Sequence, residues 1–125
     1  MAVSLKQLKK MFPDWKIYQY SDEGSFDLSG YSPEGENIVV TISGSTFAEL
    51  ARDAAVEHER FDADDHAAQI YHAKHYGSDD EQRFFAGAPE KLKDLLKDAR
   101  AIKRMLKEVA MALEVAANGK DKVQK

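Results

Sequence analysis

The sequence predicts an α+β domain: an N-terminal helix, a three-stranded antiparallel β-meander, then three helices, the last one long. Three observations carry this. Between Trp15 and Ser43, three runs of alternating apolar and polar residues are separated by short turns. Either side of that region, apolar residues recur at spacings of three and four. From Pro89 to Ala116 that spacing is sustained without a break, through Leu92, Leu95, Ala99, Ile102, Leu106, Val109, Leu113 and Ala116. Such a seam needs an apolar surface to bury against, and the rest of the chain must supply it.

Each element has a local reason. Ser4-Leu5-Lys6-Gln7 fits a capping box, with Leu5, Leu8 and Phe12 on the apolar side of a first helix that Pro13 stops. Trp15 to Tyr20 reads as the first strand, Trp15 and Ile17 on one face, Tyr18 and Tyr20 on the other. Ser21 to Gly24 reads as a turn, and Ser25 to Tyr31 as a strand pointing Phe26 and Leu28 one way. Ser32-Pro33-Glu34-Gly35 is a β-turn sequence, after which Asn37 to Ser43 places Ile38, Val40 and Ile42 together. Turns this short make the neighbours antiparallel. Three strands alone are marginal, so helices must cover the apolar face.

Thr46 to Glu49 resembles a second capping box, opening a helix to about Arg60 with Phe47, Leu50, Ala51, Ala54, Ala55 and His58 inward. The acidic cluster Asp62-Ala63-Asp64-Asp65 reads as the capped first turn of the next helix, its carboxylates complementing the helix dipole, and Gly77 ends that helix. Residues 77–88 read as a loop or short helix whose Phe84-Phe85 pair docks on the body. Pro89 suits the first turn of the last helix, and Asn118-Gly119 reads as its stop. The expectation is one domain over residues 1–118 and a frayed tail over 119–125.

Composition narrows the setting. With 125 residues, 43% hydrophobic and 32% charged, the chain suits one modest core. It has no cysteine, which excludes disulfides and thiolate zinc sites and suits a reducing compartment. No apolar stretch approaches the roughly 18 residues of a membrane span, and the opening residues do not read as a secretory signal. A cytoplasmic protein without a membrane role is expected. Net charge is −4, unevenly spread: residues 89–125 hold ten Lys/Arg against six Asp/Glu, residues 1–88 eight against sixteen.

Candidate chemistries fare unequally. His66, His72 and His75 near Asp62, Asp64 and Asp65 are of metal-ligand type, yet caps and surface histidines explain the same letters, and no metal or cofactor is expected. His58-Glu59-Arg60-Phe61-Asp62 begins like a zinc protease signature but carries Asp62 where the second histidine belongs. No nucleophile elbow or phosphate loop is present, so no catalytic residue is assigned and the chain is expected not to be an enzyme. Helix–strand–strand–strand–helix is also the order of double-stranded RNA-binding domains, but the helix after the third strand lacks their lysine-rich start.

Two charged surfaces remain. Residues 53–65 carry Asp53, Glu57, Glu59, Asp62, Asp64 and Asp65 against Arg60 alone, a run able to imitate a phosphate backbone. Opposite the C-terminal seam, Lys93, Lys97, Arg100, Arg104 and Lys107 form a basic stripe that could meet nucleic acid by charge. Helix capping and solvation account for both without any function.

Three segments carry a resemblance: Ser29-Gly30-Tyr31-Ser32-Pro33-Glu34-Gly35-Glu36, Phe61-Asp62-Ala63-Asp64-Asp65-His66-Ala67, and Asp98-Ala99-Arg100-Ala101-Ile102-Lys103-Arg104-Met105-Leu106. With them the chain resembles small uncharacterised proteins of phages, plasmids and conjugative elements of gut-type Firmicutes, from Met11 to Leu113. Residues 77–88 stand outside the likeness. The resemblance implies an accessory factor that disables a host defence protein, as anti-CRISPR and antirestriction proteins do. It brings no catalytic residues with it.

The expected function is therefore that of a non-enzymatic binding protein. Glu57, Glu59, Asp62, Asp64 and Asp65 would face a host protein such as a CRISPR or restriction nuclease, occupying its nucleic-acid-binding surface. The alternative is a nucleic-acid-binding accessory protein using Lys93, Lys97, Arg100, Arg104 and Lys107. The apolar seam is compatible with a monomer or a homodimer.

Overall fold

The computed structural model describes residues 3–21, 24–31 and 37–123. The elements run α1 (Leu5–Met11), β1 (Lys16–Ser21), β2 (Ser25–Tyr31), β3 (Asn37–Ser43), α2 (Phe47–Arg60), α3 (Ala63–Tyr76), α4 (Asp79–Phe84) and α5 (Leu92–Val123). This is the expected α+β order, with a fourth, short helix inserted before the long one. The strands form one antiparallel sheet in the order β1-β2-β3. The turn expected at residues 32–35 lies outside the described residues, as do Asp22 and Glu23 of the other turn.

Alternation decides which face of the sheet is buried. Ile17, Phe26, Leu28, Ile38, Val40 and Ile42 point inward and are buried, while Tyr18, Tyr20 and Val39 stay exposed on the outer face. There Tyr18 and Tyr20 stack, their ring centroids 6.2 Å apart. Thr41 Oγ1 donates across the sheet to Asp27 Oδ1 at 2.8 Å. The register slips between Gln19 and Ser21, a bulge that ends regular β1–β2 pairing at Tyr20. β1 begins at Lys16 instead of Trp15, because the Trp15 amide is already bonded to the Phe12 carbonyl. The Trp15 ring instead lies over Gly30, where a Cβ would stand 2.7 Å from it. Only a glycine leaves room for that ring.

β3 closes into the helices at one end. Gly44 donates to the Gly24 carbonyl at 3.0 Å, and Gly24 takes a positive φ of 86° that glycine tolerates. The Ser43 N–H turns away from β2 and is taken by Asp53 Oδ2 of α2 at 3.1 Å. At the start of α2, Thr46 accepts from the Glu49 N–H, but Glu49 reaches the Ser45 N–H at 3.0 Å, one residue before the cap. The expected reciprocal box is thus displaced by a residue. That bond holds the Glu49 carboxyl below the usual carboxylate range.

The core is two clusters joined by α5. In the larger, α1, the sheet and Leu50 and Ala54 of α2 close on Ile102, Leu106, Val109 and Leu113. In the smaller, Ala67 and Ile70 of α3 meet Leu95 and Ala99. The seam on α5 is therefore intramolecular core from Leu95 to Leu113. Ala55 is expected inward and is exposed, one position round the helix from the buried Ala54.

The C-terminal half corrects four expectations. Leu92, the first residue of α5, is 45% exposed. Pro89 lies three residues ahead of the helix, whose first bonds run back to the Lys91 carbonyl. Of the Phe84-Phe85 pair only Phe85 docks, against the smaller cluster, while Phe84 is 80% exposed on the outer side of α4. α5 passes Asn118 and Gly119 and continues to Val123. Gly119 does not take the left-handed conformation that a glycine stop requires.

Candidate partner-binding site

α2 and α3 are joined by two extended residues, Phe61 and Asp62, which make a tight corner. Asp62 caps α3, its side chain accepting from the Asp65 N–H at 3.1 Å. Asp65 accepts from Gln69 Nε2 at 2.7 Å. Asp64 and Glu59 are exposed and meet no hydrogen-bond or ion-pair partner among the described residues. Glu57 is half-buried. Two residues apart on a helix point roughly 200° apart, so Glu57 and Glu59 leave α2 on different sides. Glu57 and Glu59 thus face different ways, while Asp62, Asp64 and Asp65 make up the capped first turn of α3.

Glu57 faces a recess of about 290 Å³ at the open edge of β3. Its deep walls are the buried Ile38, Val40, Ile102 and Leu106; its outer walls are Val39, Glu57, Arg60, Phe61 and His66. The His66 ring is half-buried, 4.9 Å from the Phe61 ring. Burial pushes its pKa down, and the charge of neighbouring Asp65 pulls it part of the way back. Burial thus favours the uncharged imidazole, and the recess is apolar within and charged at its mouth. Four separated stretches of chain build it, so no local pattern in the sequence announces it.

The basic stripe keeps its predicted spacing. Lys93, Lys97, Arg100, Arg104 and Lys107 are all exposed along about 21 Å of α5. The first four lie along one open side of α5, with Asp94 and Leu96 between them. None of the five has an ion-pair partner among the described residues.

The histidines are dispersed. His58 Nδ1 lies 3.1 Å from the Lys103 carbonyl, tying α2 to α5 and turning away from any zinc-protease arrangement. His72 sits against Tyr76, and His75 against Tyr71 and Tyr76. Among the described residues no three His, Asp or Glu side chains converge as metal ligands would.

Comparison with protein families, with curated proteins and with solved structures found no match to this chain.

Proposed function

We propose that this chain is a non-enzymatic binding protein of a mobile element, docking on a host protein through the corner between α2 and α3. One observation carries the reading. Glu57 shares the mouth of an apolar recess with Arg60, Phe61 and His66, next in sequence to Asp62, Asp64 and Asp65, so that acids outnumber the one arginine. An apolar centre with a charged border is the make-up of a protein interface, whereas helix capping alone needs no recess. The acidic border suits a basic partner surface, such as the nucleic-acid groove of a host defence nuclease. The resemblance to proteins of phages and conjugative elements supports that choice of partner.

The test is DNA cleavage by a panel of Cas9-type and restriction nucleases with the purified chain added. Inhibition of at least one is expected. The variant carrying Asp62→Asn, Asp64→Asn and Asp65→Asn should lose it while staying folded, because asparagine caps a helix as well as aspartate does. Undiminished inhibition by that variant removes the acidic corner. Inhibition of no nuclease removes the defence target.

A second reading is favoured by the exposed stripe that Lys93, Lys97, Arg100 and Arg104 form along α5. It makes the chain a nucleic-acid-binding accessory protein whose affinity falls steeply with salt. Absence of any DNA or RNA mobility shift at low salt disposes of it.

A further inference from the structure

β3 is an edge strand, and hydrogen bonds at one end fix which of its backbone groups face outward. Gly44 donates toward β2, to the Gly24 carbonyl, whereas Ser43 donates away from it, to Asp53. In an antiparallel ladder, residues alternate between facing the neighbouring strand and facing away. Thr41 and Val39 therefore share the direction of Ser43. Their N–H and C=O groups, four in all, point off the sheet, and none meets a partner among the described residues. Val39 is itself 56% exposed.

We infer that this open edge is a strand-addition site, where an extended basic segment of a partner protein pairs with Val39 and Thr41 and lodges one large apolar side chain in the neighbouring recess. The inference rests on the acidic corner being a protein interface and names the form its partner takes. A strand laid along β3 sends alternate side chains to the side that Ile38 and Val40 face, which is where the recess lies. The recess has room for about ten waters at ~30 Å³ each, comparable to one large side chain. Residues on either side of the apolar one would pass Glu57 and Arg60, with Asp65 close to His66; acids outnumber that one arginine six to one over residues 53–65, which favours lysine and arginine there. Charge also decides against a second copy as occupant. Pairing β3 with β3 would bring together two copies of residues 53–65, a stretch with six acids and one arginine. Asp53 holds the Ser43 N–H, so added pairing stops short of that residue.

The test uses the full chain, immobilised, and a displayed library of random dodecapeptides. Enriched peptides should carry one aromatic or large aliphatic residue flanked by lysine and arginine. Val39→Pro removes only an outward-facing N–H and leaves the ladder to β2 intact. It should weaken an enriched peptide at least tenfold in a variant whose circular dichroism is unchanged. Should that variant not fold, amide exchange on the unaltered chain decides. The peptide should protect the Val39 and Thr41 amides and leave that of Ser43, already bonded, unchanged. No enriched peptide, peptides without basic bias, or no protection at Val39 and Thr41 overturns the inference. So does a chain that is dimeric in solution and made monomeric by Val39→Pro. If binding survives Val39→Pro but is lost with Asp62→Asn, Asp64→Asn and Asp65→Asn, strand addition fails and the acidic interface stands; the reverse pattern refutes the acidic interface alone.

Discussion

Replacing Leu113 tests whether α5 is core to this molecule or a seam awaiting another. Leu113 is fully buried, in the cluster that joins α1, the sheet and α2. Leu113→Ala removes the equivalent of about three methyl or methylene groups, worth about 2.4 kcal/mol in transfer alone. The unfilled cavity adds to that, and buried leucines cost about 3–5 kcal/mol in such series. For 125 residues the unfolding entropy is about 0.26 kcal/mol per degree. A loss of about 3 kcal/mol therefore lowers Tm by roughly 10–15 °C. Met111, two residues away and 54% exposed, is the control: Met111→Ala should stay within about 0.5 kcal/mol of the parent. Urea unfolding followed by circular dichroism, at two protein concentrations tenfold apart, measures both. A cost below about 1 kcal/mol for Leu113→Ala refutes the packing. A midpoint that rises with concentration would mean the seam is completed by a second chain.

Two further perturbations probe the site and its scaffold. Because burial lowers the pKa of His66, its neutral form is favoured in the folded chain. That contribution to stability is present above about pH 6.5 and is lost as pH falls through the lower folded value. An NMR titration should place the His66 midpoint below that of free imidazole, and Asp65→Asn should lower it again; a midpoint at or above the free value contradicts the recess geometry. Gly30→Ala puts a methyl group 2.7 Å from the Trp15 ring and must displace it. Trp15 is the one tryptophan, so its emission should shift to the red with a loss of about 1–3 kcal/mol in stability. Unchanged emission would show that the ring does not lie over Gly30.

What could be read from the sequence was whatever has a short period. Strand faces follow from alternation, and β2 and β3 run over the residues expected of them. Caps at Ser4, Thr46 and Asp62 follow from polar side chains placed three residues before a free amide. Ser78-Asp79-Asp80-Glu81 carries the same capping signal and opens α4. The misses are tertiary. Leu92 and Ala55 fit their helical stripes yet are exposed, because periodicity marks a face and not how far its cover extends. Phe84 and Phe85 are adjacent on one turn, and a short helix can bury only one of two such neighbours. Of the candidate site, the acids were visible as a charge run. The recess beside them was not, because Ile38, Val40, Ile102 and Leu106 look like any other core residues until four chain segments meet.

The placement of α5 also sets a clock on the nascent chain. Phe26 and Leu28 form the sheet's inner face, but α5 supplies much of what covers them, out to Leu113. At roughly 5–20 residues per second, about 4–17 s separate the synthesis of Phe26 from that of Leu113. For those seconds three strands exist without their full cover, too few to be stable alone. During synthesis the apolar inner face is the chain's most vulnerable surface, and the ribosome-bound intermediate should depend on chaperones more than the finished protein does.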